Sequence, residues 1–268
     1  APPRPKASTG VPQACASSEA FNMAAADIAV RASYGVGQNL LSADEVHRLE
    51  PRLPSFEGGG LFFPNAIGLS DPGAVMHLLF GAVRRMGVEF VRASAQEIVR
   101  QPKGVRIIAA PYEISARKAV IAAGARSRKL AAQIGDRIRL DTERGYHVEF
   151  DMAELPIERP IRPTARGFYL CPMNGRLRVA GLVEFGGLAA PATPSLVHNM
   201  VAYTRQILPN LGEPSRSWLG FRPSMPDSVP VIRPSQGARD VILAFGHGHI
   251  GLTLAPRTAQ LVSALLTI

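Results

Sequence analysis

Residues 245–266 read FGHGHIGLTLAPRTAQLVSALL, and they place Gly246, Gly248 and Gly251 at G-x-G-x-x-G spacing between the apolar run VILAF and a helical pattern. A dinucleotide-binding unit of that spelling needs a second strand and an acidic ribose ligand ~20 residues on. Only Leu252 to Ile268 follow, without an Asp or Glu, so the context of that fingerprint is missing. What survives is simpler. A strand, a glycine turn and a helix N-terminus leave amide N–H groups unpaired and carrying partial positive charge. Glycines let the flat or charged edge of a ligand approach that backbone closely. An anion or an electron-rich carbonyl suits such a turn.

His247 and His249 are two apart in it. An H-x-H pair can bind a metal, but no third ligand stands at a convincing spacing. The two remaining readings are polar turn residues, or one imidazole facing the ligand. A second chemical residue is Arg222, in the segment WLGFRPSMPDSVPVI between Trp218, Phe221 and Pro223. A half-buried guanidinium needs an anion, and its planar fork fits a carboxylate bidentately. The plainer alternative is a structural ion pair with an acid of the core. In RGYHVEF, Tyr146 and His147 fall on opposite faces of a strand. Tyr146 could line a substrate cavity or simply pack. There is no G-x-S-x-G elbow and no phosphate-binding P-loop.

The elements that must position these groups can be read from pattern. SSEAFNMAAADIAVRASYG reads as a helix capped by Ser17 or Ser18, and LSADEVHRLEP carries a capping box from Ser42 to Glu45. LSDPGAVMHLLFGAVRRMG reads as a helix with Asp71 or Ser70 as cap and Pro72 in the first turn. From Val88 the pattern turns to short strands: VEFVRA, EIVRQ, GVRIIAA, YEIS and KAVIAAG. SRKLAAQIG is a short helix. GYHVEF, GFYLCP and RLRVAGLVEF are strands, and a helix spans about Ser195 to Leu208. KAVIAAG and VILAFG are both apolar strands ending in glycine before a helix, the arrangement in which α/β sheets meet ligands.

The fold class expected is mixed α/β: an incomplete Rossmann-like layer with an inserted domain on a largely antiparallel sheet. The boundaries read as 1–16, a disordered lead-in, and 17–70, a helical part of the substrate side. Then come 71–135, a nucleotide-side layer with a small meander, 136–225, the substrate domain, and 226–268, a return to the layer.

Composition narrows the class. The 268 residues carry a formal charge of +9, mostly from scattered arginines, with lysines only at 6, 103, 118 and 129. No basic stripe alternates with aromatics, so nucleic acid is not the expected partner. Cys15 and Cys171 offer no disulfide framework, and no apolar run reaches the ~20 residues of a membrane span. The expected location is the cytoplasm, with peripheral attachment to a membrane left open.

With these pieces placed, the chain resembles the D-amino-acid oxidase-like family of FAD-dependent oxidoreductases, nearest to bacterial D-amino-acid dehydrogenases and glycine oxidases. The residues that carry the likeness are LEPRLPSFEGGGLFFPNAIGLSDPG, VIAAGARSRKLAAQIG, RLRVAGLVEFGG, WLGFRPSMPDSVPVI and GHGHIGLTLAPRTAQLV. The resemblance implies non-covalent FAD contacted by Gly246, His247, Gly248, His249, Ile250, Gly251, Leu252 and Thr253. It places Ala123 and Gly124 near the dinucleotide's phosphates and Ala95 beside the adenine. It makes Arg222 the holder of a small amino acid's α-carboxylate, with Tyr146 and His249 as the other candidates at the reacting centre. Oxygen or a quinone would accept the electrons.

One departure stands out. The family's opening βαβ unit, with its own G-x-G-x-x-G and acidic ribose ligand, is not in this sequence. A fragment, one half of a split enzyme, and a decayed relative that keeps only a binding cavity are the three readings; the first is the expectation here. A non-catalytic binding or regulatory subunit is the rival function.

Overall fold

The computed structural model describes residues 7–164 and 167–267. They divide into two units. The first takes Ala1–Val88, Tyr146–Leu182 and Ala192–Leu219; the second takes Glu89–Gly145, Val183–Pro191 and Gly220–Ile268.

The first unit opens with β1 (Ala7–Ala14), where the sequence suggested a disordered lead-in. Its stretch STGVPQA has no apolar alternation, so its order comes from pairing. β1 runs antiparallel to β3 (Gly60–Leu69) and parallel to the two-residue β9 (Arg162–Pro163). β2 (Asn39–Leu41) closes the sheet, in the order β2-β3-β1-β9. The expected first helix is two pieces, α1 (Ser18–Met23) and α2 (Ala25–Ser33), capped by Ser17. They part at Ala24, whose N–H turns to Phe21 at 3.0 Å, one residue short of helical pairing.

α3 (Ala43–Leu49) carries the full capping box. The Glu45 N–H donates to Ser42 Oγ at 3.3 Å, and the Ser42 N–H donates to Glu45 Oε2 at 2.8 Å. α4 (Pro72–Arg85) starts as its sequence indicates, with the Ala74 N–H donating to Asp71 Oδ1 at 3.0 Å. The core of this unit gathers the even face of β8 (Asp141–Asp151), namely Tyr146, Val148 and Phe150. Phe168 and Leu170 of β10 (Phe168–Met173) join it, as do Leu177 and Val179 of β11 (Arg176–Phe185). Met200 and Val201 of α6 (Pro194–Ile207) pack onto the same cluster.

The second unit contains the meander β4 (Glu97–Arg100), β5 (Val105–Ala109) and β6 (Tyr112–Ala116). A separate sheet, ordered β13-β14-β7, joins Val231–Pro234, Val241–Phe245 and Ala119–Ile121. α5 (Ser127–Gln133) and α7 (Gly251–Thr267) follow β7 and β14. The expected strand VEFVRA does not form; Val88, Phe90 and Val91 stay exposed, so the segment's apolar groups gain little from burial there. β10, β11, β8 and β12 (Arg216–Ser224) make a fourth sheet in that order, and the unit boundaries fall within β8, β11 and β12.

The odd face of β8 in the first unit is charged. Glu149 is buried, yet it accepts from Arg178 Nε at 2.7 Å and pairs with Arg176 Nε at 3.0 Å and Arg216 Nε at 3.2 Å. Burial pushes its pKa up, but the bonds and charges of Arg178 and Arg176 outweigh that and hold the carboxyl below its ordinary value. Beside it, His147 stacks on Trp218 with ring centroids 5.0 Å apart. Burial first, then the charge of Arg178, lowers this imidazole from 6.5 to about 4.

Both groups bind protons more readily in the unfolded chain, so stability rises with pH across their titration ranges. The unfolding free energy, followed by urea midpoints, should therefore fall as pH drops from 6.5 towards 4. His147→Phe should flatten this upper part of the decline and keep the later part due to Glu149. An unchanged profile in the variant would show that the imidazole does not titrate in this way.

Candidate functional site

Every residue of β14 is buried, and the strand is hydrogen-bonded along both edges: antiparallel to β13 and parallel to β7. The chain leaves it through Gly246 and Gly248, with φ of +92° and +54°, and enters α7 at Gly251. Left-handed backbone of this kind is costly for residues with a Cβ. A Cβ at Gly246 would also lie 2.7 Å from Cγ of Met225. The amides of Gly251, Leu252 and Thr253 occupy the first helical turn, where no intrahelical acceptor exists.

The turn is tied to β12. The Gly248 N–H donates to Pro223 O at 2.8 Å, and Ser224 forms an antiparallel bridge with His247. Arg222 is therefore one residue from the strand atoms that hold the turn. Its guanidinium lies on the backbone of Gly145, where any Cβ would collide with it. Another arginine of this unit, Arg144, makes a buried ion pair. Arg144 Nε sits 3.2 Å from Glu184 Oε2, and its Nη2 donates to Pro191 O at 2.6 Å.

The two histidines part company. His247 Nε2 and Thr258 Oγ1 are 2.8 Å apart, and burial lowers its pKa, so this imidazole is neutral at pH 7. It braces the turn against α7. His249 and Ile250 are exposed at the tip. A small cavity of about 90 Å³ lies against the turn, with Glu143, Ser224, Met225 and Ser228 on its other side. Sequence reading passed over those four; for Ser224, the i+2 position from Arg222 on one strand was the available signal.

Ala95, Ala123 and Gly124 lie elsewhere in the same unit. Ala95 and Ala123 line one cavity of about 1010 Å³. Gly124, with φ +56°, has nothing within 4 Å of where a Cβ would be, so a ligand can reach its backbone. Tyr146 is placed in the core of the first unit, where its hydroxyl accepts the Thr193 N–H at 2.9 Å. Among the described residues no group of three or more His, Cys, Asp or Glu could hold a metal ion, and no helix is long and apolar enough to cross a membrane. Both cysteines are free thiols.

Comparisons with known proteins bear on the family and the fold. The model of the family DAO, FAD dependent oxidoreductase, matches residues 7–265. The chain is 35% identical over 244 residues to a D-amino-acid oxidase of Bradyrhizobium diazoefficiens, covering 89% of this chain and 58% of that protein. It is 28% identical to D-amino acid dehydrogenase 3 of Mesorhizobium japonicum, covering 87% and 58%. The chain thus spans under two thirds of the length of these relatives. In fold it matches the glycine oxidase from Geobacillus kaustophilus with a TM-score of 0.86 at 22% identity, covering 97% of this chain and 70% of that one. It matches the FAD-bound L-alpha-glycerophosphate oxidase from Mycoplasma pneumoniae at 0.81 and 19% identity, covering 98% and 74%.

The two glycines of the turn should respond differently to alanine. Gly246→Ala meets both the backbone strain and Met225, and should cost ~2–3 kcal/mol, lowering Tm by roughly 4–10 °C. Gly248→Ala, whose nearest neighbour is Ser224 Oγ at 3.8 Å, should cost only ~1 kcal/mol. Thermal unfolding of the two variants side by side checks this; equal losses would contradict the packing described.

Proposed function

The chain belongs to the DAO family of FAD dependent oxidoreductases, and on that premise we propose that it oxidises the amine of a small amino acid, a D-amino acid by the names of its relatives. The observation that carries the reading is the tie between Arg222 and the closing turn, through Pro223–Gly248 and Ser224–His247. A carboxylate-binding fork and a row of free amides are thereby held in one rigid piece.

The residues fit the cofactor that the family uses. Two left-handed glycines open the approach to the amides of Gly251, Leu252 and Thr253, and no side chain crowds Gly124. Bound there non-covalently, FAD supplies a two-electron acceptor for hydride. The Gly246–Thr253 backbone would hold the ring, and its preorganised N–H dipoles would stabilise negative charge gained on reduction. Arg222 takes the α-carboxylate and so aims the Cα–H bond. Oxidation of the C–N bond by loss of hydride and the amine proton asks chiefly for orientation. His249, at the exposed tip, is the imidazole of the pair that is free of the Thr258 brace, and it serves as a contact to the ring. Tyr146 contributes through the core and the Thr193 amide.

The rest of the dinucleotide site is assigned to the portion of its relatives that this chain does not span. Two features support that assignment. Among the described residues, α7 has no buried residue along 17 positions and β7 has a strand partner on one edge only, in the sheet order β13-β14-β7. Oxygen and a quinone remain the two acceptors to compare. Nucleic acid has no part in the reading.

Joined to a dinucleotide-binding βαβ unit of a relative, the chain should form a yellow protein that bleaches when D-amino acids are added without oxygen. Arg222→Lys keeps the charge and loses the fork, and should raise KM by roughly 10- to 100-fold, the scale of a charge-assisted hydrogen bond of ~1.5–3 kcal/mol. A yellow protein that ignores amino acids, or an unchanged KM in the variant, would reject the substrate assignment.

A further inference from the structure

The small cavity against the closing turn carries a charge that the chemistry above leaves unused. Its volume is about 90 Å³, room for about three waters at ~30 Å³ each. That admits the head of a small molecule but not a fused ring system, whose pockets run to ~300–1,000 Å³. Ser224, Met225 and Ser228 line it opposite the turn. Glu143 is the single acid in its wall, and among the described residues no Lys or Arg stands there. His247, in the same wall, is engaged by Thr258 and neutral at pH 7. Ser224 Oγ donates to Arg222 O at 3.4 Å. Glu143 is half-buried, and among the described residues no hydrogen bond or ion pair engages its carboxylate. A carboxylate drawn partly out of water asks for a cation or an N–H donor.

The strand that carries Glu143 also decides where it points. Side chains of β8 alternate between its two faces. Arg144 turns to Glu184 and to Pro191 O. Glu143 and Gly145 therefore share the opposite face. Gly145 is the residue on whose backbone Arg222 lies, its guanidinium filling the space a Cβ would take. Two residues of strand span about 6.7 Å. The head of an α-amino acid holds its nitrogen ~2.5 Å from the carboxyl carbon. Charge-assisted hydrogen bonds of ~2.8 Å at either end reach across a separation of that order. A carboxylate and a guanidinium thus stand side by side over one strand face, with the spacing of a zwitterion.

We propose that Glu143 receives the α-ammonium of the substrate and so selects amino acids over 2-hydroxy acids. The assignment rests on the reading of Arg222 as the holder of the α-carboxylate, and it adds the second point that fixes the head of the substrate. The guanidinium alone lets that head turn about the carboxylate axis; two anchors leave the Cα–H bond one direction. A hydroxyl in place of the ammonium brings no charge to Glu143. Discrimination is then steep, because the wrong ligand leaves a polar group of the site unmatched.

The test is calorimetric titration of the full 268-residue chain with D-alanine and with D-lactate, in the parent, in Glu143→Gln and in Arg222→Lys, with circular dichroism to confirm the fold. D-alanine should bind the parent at least tenfold more tightly than D-lactate. Glu143→Gln keeps the shape and removes the charge; it should weaken D-alanine at least tenfold, leave D-lactate within twofold, and so erase the preference. Arg222→Lys should weaken both ligands alike. D-lactate bound by the parent as tightly as D-alanine, or a preference that survives Glu143→Gln, overturns the proposal. If Arg222→Lys weakens both ligands in that second case, the carboxylate reading stands without Glu143. If instead Arg222→Lys changes neither affinity while Glu143→Gln acts as described, the ammonium site stands and the carboxylate reading falls. A folded chain that binds neither ligand also overturns the proposal, and the bleaching of the joined yellow protein then judges the substrate reading by itself.

Discussion

The hydrogen-bonded embedding of β14 is the constraint on which the rest depends. A strand paired on both edges and buried along its whole length cannot slide or tilt. The turn that follows it is therefore fixed in space, and so are the first amides of α7. The left-handed glycines allow the chain to reverse there without a side chain closing the approach. Their conformational cost is met by the buried VILAF side chains, each of which gains from leaving water. A loose strand in the same place would offer the same amides, but no defined direction for them.

Charge is distributed on the same principle. Arg144 is sealed against Glu184, and Arg176, Arg178 and Arg216 converge on Glu149. These pairs are structural: a buried carboxylate needs its partners, and removing one leaves a stranded charge. Asp136 follows the same pattern in the second unit. Burial raises its pKa, but Ser235, the Gln236 amide and Arg233 together outweigh that and lower it. Arg222 lies on a glycine backbone beside the turn, and Arg126 and Lys129 line a cavity.

Much of this was legible because it is local. The capping box at Ser42 and Glu45, the Asp71 cap with Pro72, and the strand–glycine–helix at the C-terminal end are written in adjacent residues. The Arg222 neighbourhood was legible as a polar group in an apolar segment. What escaped depends on contacts across long stretches of chain. β1 has no alternation and is ordered by β3 more than 45 residues away. VEFVRA has strand composition but forms no strand, so composition misleads. Glu149 and its arginines come from three strands, and nothing in HVEF announces them. Arg126, Arg128 and Lys129 were visible only among scattered basic residues; that they line one cavity with Ala93 and Ala95 was not.

The most direct measurement is hydrogen–deuterium exchange across residues 241–260, in the chain joined to a relative's dinucleotide-binding unit, with and without FAD. The account requires slower exchange of the Gly251, Leu252 and Thr253 amides when FAD is bound, with the β14 amides already protected in both states. Full FAD occupancy with those three amides exchanging as fast as before would mean that the closing turn does not face the flavin.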